Sequence, residues 1–236
     1  MTKIASPCLA AAACLLSFAT PARAVERGSA PMGVSNYQQP AAEGPSGFEI
    51  GVRLGYQMPS GKIGDITSSR GLNFDQTTKL GDVVGSGMNL VLDAGHRVNR
   101  TVYYGLSLAY TPSLGTKDCT PGCSFSDMRV GASLVIHPSV ARVPQLDPFI
   151  GFGVNYDQLT LSAKDPFTGQ SQSFTFYGME FLNVMLGANF LALPQLSVGG
   201  YFSSSLGMYF GADNSNTHHP ELHEWYTLGI RGSYTL

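Results

Sequence analysis

Trp225-Tyr226-Thr227-Leu228-Gly229-Ile230-Arg231-Gly232-Ser233-Tyr234-Thr235-Leu236 alternates without a break. Tyr226, Leu228, Ile230, Tyr234 and Leu236 fall on one face; Trp225, Thr227, Arg231, Ser233 and Thr235 fall on the other. A two-residue period of this kind describes a strand with one apolar side and one mostly polar side. The pattern recurs about eight times along the chain, and the last apolar residue of the series is Leu236. That repetition, behind an export signal, predicts a membrane β-barrel.

The opening segment reads as the export signal. Lys3 supplies a positive start, residues 4–18 are rich in Ala and Leu, and Ala22-Arg23-Ala24 places small residues where a signal peptidase reads. The expected leader is residues 1–24, and the mature chain begins at Val25. The apolar run is too short for a spanning helix, which needs roughly 20 residues. Cys14 follows four alanines but lacks the Leu that a lipoprotein site carries three residues before its Cys.

Composition narrows the class. Charged residues make up 13% of the chain, about half the usual soluble value, and mean hydropathy is +0.03. Loss of Lys3 and Arg23 with the leader takes the formal charge from −2 to −4, and there is no basic patch, so a nucleic-acid partner is not expected. The stretch 181–196 is apolar enough to suggest a membrane helix, but Asn183, Asn189 and Pro194 interrupt it, and it fits two strands meeting at a turn. Residues 25–47 are rich in Pro, Gly, Ala, Ser and Gln and read as a flexible linker.

The remaining strands are expected at 48–58, 84–94, 102–110, 128–136, 149–156, 176–190 and 196–206, ahead of the terminal one. The first turns Phe48, Ile50, Val52, Leu54, Tyr56 and Met58 outward and Glu49, Arg53 and Gln57 inward; a slip of one residue would carry charges onto the apolar face. Glu180 falls on the outward parity of the sixth strand and is expected near or above the lipid headgroups. Connections after the second, fourth and sixth strands are short, and those after the first, third, fifth and seventh are long. Short turns belong in the periplasm and long loops outside, so an even strand count places both termini in the periplasm.

These features resemble the small outer-membrane barrels of the OmpA transmembrane-domain, OmpX and opacity-protein type. The resemblance covers residues 47–236. It implies an all-β fold, an eight-stranded antiparallel up-and-down transmembrane β-barrel over residues 48–236, in the outer membrane of a Gram-negative bacterium. The implied partners are outer-membrane lipid and lipopolysaccharide, the barrel assembly machinery that reads the terminal signal at Tyr234 and Leu236, and envelope proteins. Many such barrels end in Phe where this chain has Leu236. No peptidoglycan-binding domain follows, so wall anchoring does not carry over. Function within this superfamily ranges from anchors to adhesins to a few enzymes.

Candidate functional residues fall in three groups. Glu49, Arg53, Asp93, Arg129 and Arg231 point into a lumen only wide enough for side chains, and are expected to form a salt-bridged plug, with a narrow gated pore as the alternative. Cys119 and Cys123 flank Thr120-Pro121-Gly122 in the second long loop; in an oxidising compartment they are expected to form a small disulfide loop. His218, His219 and His223, with Glu221 and Glu224, are the candidate metal-ligating set, weighed against the ordinary polarity of a loop. No cofactor is expected. His137-Pro138-Ser139 superficially matches the His-x-Ser pair of barrel lipid A deacylases, but it lies in a short turn and Val140 replaces the Asn expected next. No stronger catalytic motif is present, and no enzymatic activity is expected. The expected role is structural or adhesin-like recognition through the long loops; a barrel subunit of a trans-envelope adhesion or motility complex is the alternative, ahead of a pore.

Overall fold

The computed structural model describes residues 46–68, 73–74, 78–114, 124–138, 145–164, 171–213 and 215–236. In chain order the elements are β1 (Gly47–Gly61), β2 (Asp65–Ser68), β3 (Asn73–Phe74), α1 (Leu80–Val83), β4 (Gly87–Arg97), β5 (Val102–Leu114), β6 (Ser124–Ile136), β7 (Leu146–Lys164), β8 (Ser171–Leu191), β9 (Leu196–Ala212), β10 (Ser215–His219) and β11 (Leu222–Thr235). Eight of these, β1, β4–β9 and β11, close into an antiparallel barrel in which each strand pairs with its sequence neighbour and β1 pairs with β11. The first long connection and the last one add a small sheet of order β10-β2-β3, which the sequence pattern did not suggest.

Three short turns (after β4, β6 and β8) and both ends of the barrel's strand run share one end, hereafter the turn end; the long connections share the other, the loop end. The outward and inward sets are set by the two-residue period. Phe48, Ile50, Val52, Leu54, Leu90, Leu92, Leu106, Leu108, Val130, Leu134, Leu228 and Ile230 are exposed on the outer wall. Tyrosines stand on it in two rings: Tyr104 and Tyr234 toward the turn end, with Phe48 and Phe190, and Tyr56, Tyr110, Tyr156 and Tyr226 toward the loop end. Eight residues separate Phe48 from Tyr56, and eight separate Tyr226 from Tyr234. At ~3.3 Å per residue on strands tilted by ~40°, that is a band of ~20 Å between rings.

Inside, glycines make room for aromatic rings. A side chain at Gly95 would meet the Tyr103 hydroxyl at 2.7 Å, and one at Gly55 would meet the Tyr201 hydroxyl at 2.7 Å. Tyr103, Val135, Phe149, Met185 and Tyr201 form an apolar cluster within the barrel. A second one, at the loop end, gathers Phe125, Leu159, Leu161, Phe174, Phe176, Tyr209 and Trp225 around Ile63, Leu80 and Val84 of the first long connection.

Two expectations need correction. The strands are longer than the sequence pattern indicated: β7 has 19 residues and β8 has 21, so the loop expected at 158–175 is mostly strand. Their upper parts reverse the usual sense, with Leu159, Leu161 and Phe176 inward and Gln158, Thr160 and Ser162 outward, which in the sequence looks like the end of an outward-apolar strand. Glu180, in turn, is not on the outer wall but fully buried inside. Strand β8 carries one residue more than either neighbour at this point: Asn183 and Glu180 pair with Gly153 and Asn155 on β7, while Leu182 and Glu180 pair with Leu206 and Gly207 on β9. Phe181 and Leu182 both face outward, and this β-bulge switches the parity of everything beyond it.

Candidate functional site

The inside of the barrel holds three tiers of paired charges. Nearest the turn end, Glu49 accepts hydrogen bonds from Arg97 Nε at 2.6 Å, Arg231 Nη2 at 3.1 Å and the Thr235 hydroxyl at 3.4 Å. Arg97 also reaches His137 Nε2 at 3.3 Å, and His137 Nδ1 lies 2.9 Å from Asp147. In the middle, Arg53 donates to both oxygens of Asp93, at 2.8 and 2.7 Å, a bidentate pairing that fixes the planar guanidinium. The Arg231 guanidinium lies 5.1 Å from the Phe149 ring centre and 6.0 Å from that of Tyr103.

The upper tier is built on Arg129. Its guanidinium contacts Asp127, lies 3.1 Å from Glu180, and sits 4.8 Å from the centre of the Trp225 ring. Asp127 accepts from Gln57 at 3.0 Å, and the Gln57 carbonyl accepts from Asn89 at 2.5 Å. Glu180 accepts from Asn155 at 2.5 Å and from Ser205 at 2.7 Å. Asp157 lies 3.4 Å from His223, whose ring stacks on Tyr209 at 4.1 Å. Buried charges left alone cost several kcal/mol each, and this pairing offsets that cost with short, directed contacts.

Between the middle and upper tiers lies a cavity of about 50 Å³ touched by Arg53, Asn89, Arg129, Ser133 and Tyr201, room for a few water molecules at most. The apolar layer around Leu80, Phe125, Phe176 and Trp225 closes the loop end above it.

The structure thus places Glu49, Arg53, Asp93, Arg129 and Arg231 inside the barrel and distributes them over the three tiers. Sequence reading missed Arg97, Asp127, His137, Asp147, Asp157 and Glu180 as members. Arg97, Asp127 and Asp157 lay just past the expected strand ends, and continuing the period a few residues would have found them. Glu180 could not be found that way, because the bulge at Phe181 breaks the period. The histidines are separated by environment: His223 is fully buried inside the barrel while His219 is exposed on β10, so these two do not serve one site. Among the described residues no three His, Cys, Asp or Glu side chains are placed to hold a metal ion. His137 is buried against Arg97 and Asp147 at the turn end, and Ser139 lies outside the described residues. So do Cys119, Cys123, the leader, the linker up to residue 45 and the side chain of His218. Tyr234 and Leu236 are exposed on the outer wall beside the β1–β11 closure.

A closed eight-stranded antiparallel barrel with an apolar outer band and a charged, filled interior has the fold of the small outer-membrane barrels. Among solved structures, one with a TM-score above 0.5 agrees at the level of fold. The crystal structure of Neisserial surface protein A superposes with a TM-score of 0.51 at 15% identity, over 82% of this chain and 100% of that one. A major outer membrane protein from Thermus thermophilus gives a TM-score of 0.48 at 14% identity over 80% and 99%. The outer membrane protein OprG from Pseudomonas aeruginosa gives 0.43 at 13% identity over 82% and 99%. No family model and no curated protein matches the sequence.

Proposed function

We propose that this protein is an integral barrel of a Gram-negative outer membrane whose interior is a structural plug and whose working surface is the loop end, displayed to the outside. The outer band between two tyrosine rings fits a hydrocarbon layer, and the filled interior supports the plug over a pore: three tiers of ion pairs and an apolar stopper occupy the axis. With transport set aside, the long connections are left to carry recognition, an adhesin-like or structural role. On this reading both termini are periplasmic, lipid and lipopolysaccharide surround the wall, Tyr234 and Leu236 are read during assembly, and the plug residues have no enzymatic part.

Orientation is the first test. Single cysteines replace Ser173 near the loop end and Val98 in a turn, in a background carrying Cys119→Ser and Cys123→Ser, and intact cells are treated with a membrane-impermeant thiol reagent. The proposal expects labelling at position 173 and none at 98 until the outer membrane is permeabilised. The reverse pattern would overturn the surface-display reading.

A further inference from the structure

The outer wall is not equally tall all round. On β5 the outward apolar series runs from Val102 to Tyr110, eight residues, and Pro112 follows; on neighbouring β4 it ends at Met88, with Ser86 beyond. On the opposite side of the ring it climbs further. On β9 it runs twelve residues from Val198 to Phe210, through Phe202, Leu206 and Met208, interrupted by Gly200 and Ser204. On β8 it runs from Phe190 to Met179, capped by Tyr177, whose hydroxyl donates to Asp213 at 3.0 Å. Twelve residues rise ~30 Å along a tilted strand and eight rise ~20 Å.

The difference lies at the loop end. Met179 pairs with Met208 and Met208 with Leu222, so the three form one row across β8, β9 and β11. Phe210, 54% exposed, stands above that row where β9 carries an extra residue relative to β8. That row continues to Tyr156 on β7 and Val130 on β6, but beyond it toward the loop end β6 and β7 turn out Ser126, Ser124, Gln158, Thr160 and Ser162 where β9 turns out Phe210. The upper aromatic ring follows the same contour: Tyr156 on β7 pairs with Met179, and β8 and β9 add Tyr177 and Phe210 two residues beyond that row.

We propose that the β8–β9 flank is a raised lipid-contact surface, so that the hydrocarbon boundary of the outer leaflet climbs about 10 Å higher there than along β4–β5. The occupant is acyl chain because the patch continues the lipid-facing band without a polar break on β8, and because Tyr177 ends it with its hydroxyl on a carboxylate, as aromatic residues do at a membrane–water boundary. Glu224, on the outward parity of β11, accepts a hydrogen bond from the Tyr226 hydroxyl and marks the lateral edge of the raised region. A surface of uneven height makes the barrel sensitive to membrane thickness, favouring lipids of longer chain on one side.

The inference rests on the membrane reading above, and its test separates the two. Phe210→Trp, Thr160→Trp and Leu228→Trp are each reconstituted into phosphatidylcholine vesicles with brominated acyl chains, folding being checked by the heat-dependent gel shift of intact barrels. Trp225, sealed inside, supplies a constant unquenched background. The expected result is quenching of the tryptophan at 210 to at least half the level seen at 228, none at 160, and a loss of quenching at 210 alone when short-chain lipids replace long-chain ones. Quenching at 228 with none at 210 in long-chain lipids would overturn the raised flank. Absence of quenching at 228 would remove the membrane reading and the inference with it.

Discussion

Arg53 and Arg231 stand directly opposite one another across the β1–β11 pairing that closes the barrel. Like charges in that position repel, yet each guanidinium is drawn toward a different carboxylate: Arg53 to Asp93 on β4, Arg231 across the seam to Glu49 on β1. The closure therefore depends on two separate acids, both supplied from the β1 side of the seam. Replacing Asp93 with Asn leaves Arg53 buried opposite Arg231 with no anion of its own. The expected loss is about 3–5 kcal/mol. Equilibrium unfolding by guanidinium in lipid vesicles measures it, and a variant as stable as the parent would show that the seam does not need this ion pair.

Glu180 makes a parallel case in the upper tier. Glu180→Ala strands part of the Arg129 charge and leaves Asn155 and Ser205 without their acceptor, and should also cost about 3–5 kcal/mol. Deleting Phe181 is the sharper experiment. Without the extra residue Leu182 still faces outward and Glu180 inward and both ladders become regular, so this deletion should retain the folded, heat-shifted band on gels, whereas deleting Val184, which has a partner on both neighbours, turns one half of β8 the wrong way and should abolish it.

How much of this was legible beforehand follows from those two residues. The outward and inward sets of β1, the middle of β4 and β11 could be read directly, because a strict two-residue period with charges on one parity admits a single register, and Glu49, Arg53, Asp93 and Arg231 came with it. What the period hid was of two kinds. A bulge carries no compositional mark, so Glu180 seemed to face outward. Above the upper tyrosine ring the apolar side turns inward, as in Leu159 and Leu161, and a pattern that inverts looks like a pattern that stops. That inversion concealed Asp157 and the apolar stopper, while His223 was grouped with the exposed loop histidines.

The outer wall offers a direct energetic test. Arg introduced at Leu90, Leu108, Leu134 or Ile230, all exposed on the apolar band, should each destabilise the barrel by about 2–4 kcal/mol near the middle of a bilayer. Unfolding titrations in vesicles measure the cost, with Arg at Thr160 as the control expected to be near neutral. Equal effects at all five positions would remove the distinction between lipid-facing wall and exposed extension.

Cys119 and Cys123 are proposed to be bridged. A ring that short constrains little of the unfolded chain, so Cys119→Ser with Cys123→Ser should leave barrel stability almost unchanged. Mass analysis of the mature protein without reductant should find the peptide containing both residues lighter by two hydrogens. Free thiols at both positions in freshly isolated membranes would refute the bridge.

The filled interior is the centre of the account, and single-channel recording tests it most directly. Purified, folded protein inserted into planar bilayers should give no large, stable conductance steps, because ion pairs and the apolar layer over Arg129 occupy the axis where a water column would have to run. Reproducible porin-sized steps from the parent protein would contradict it.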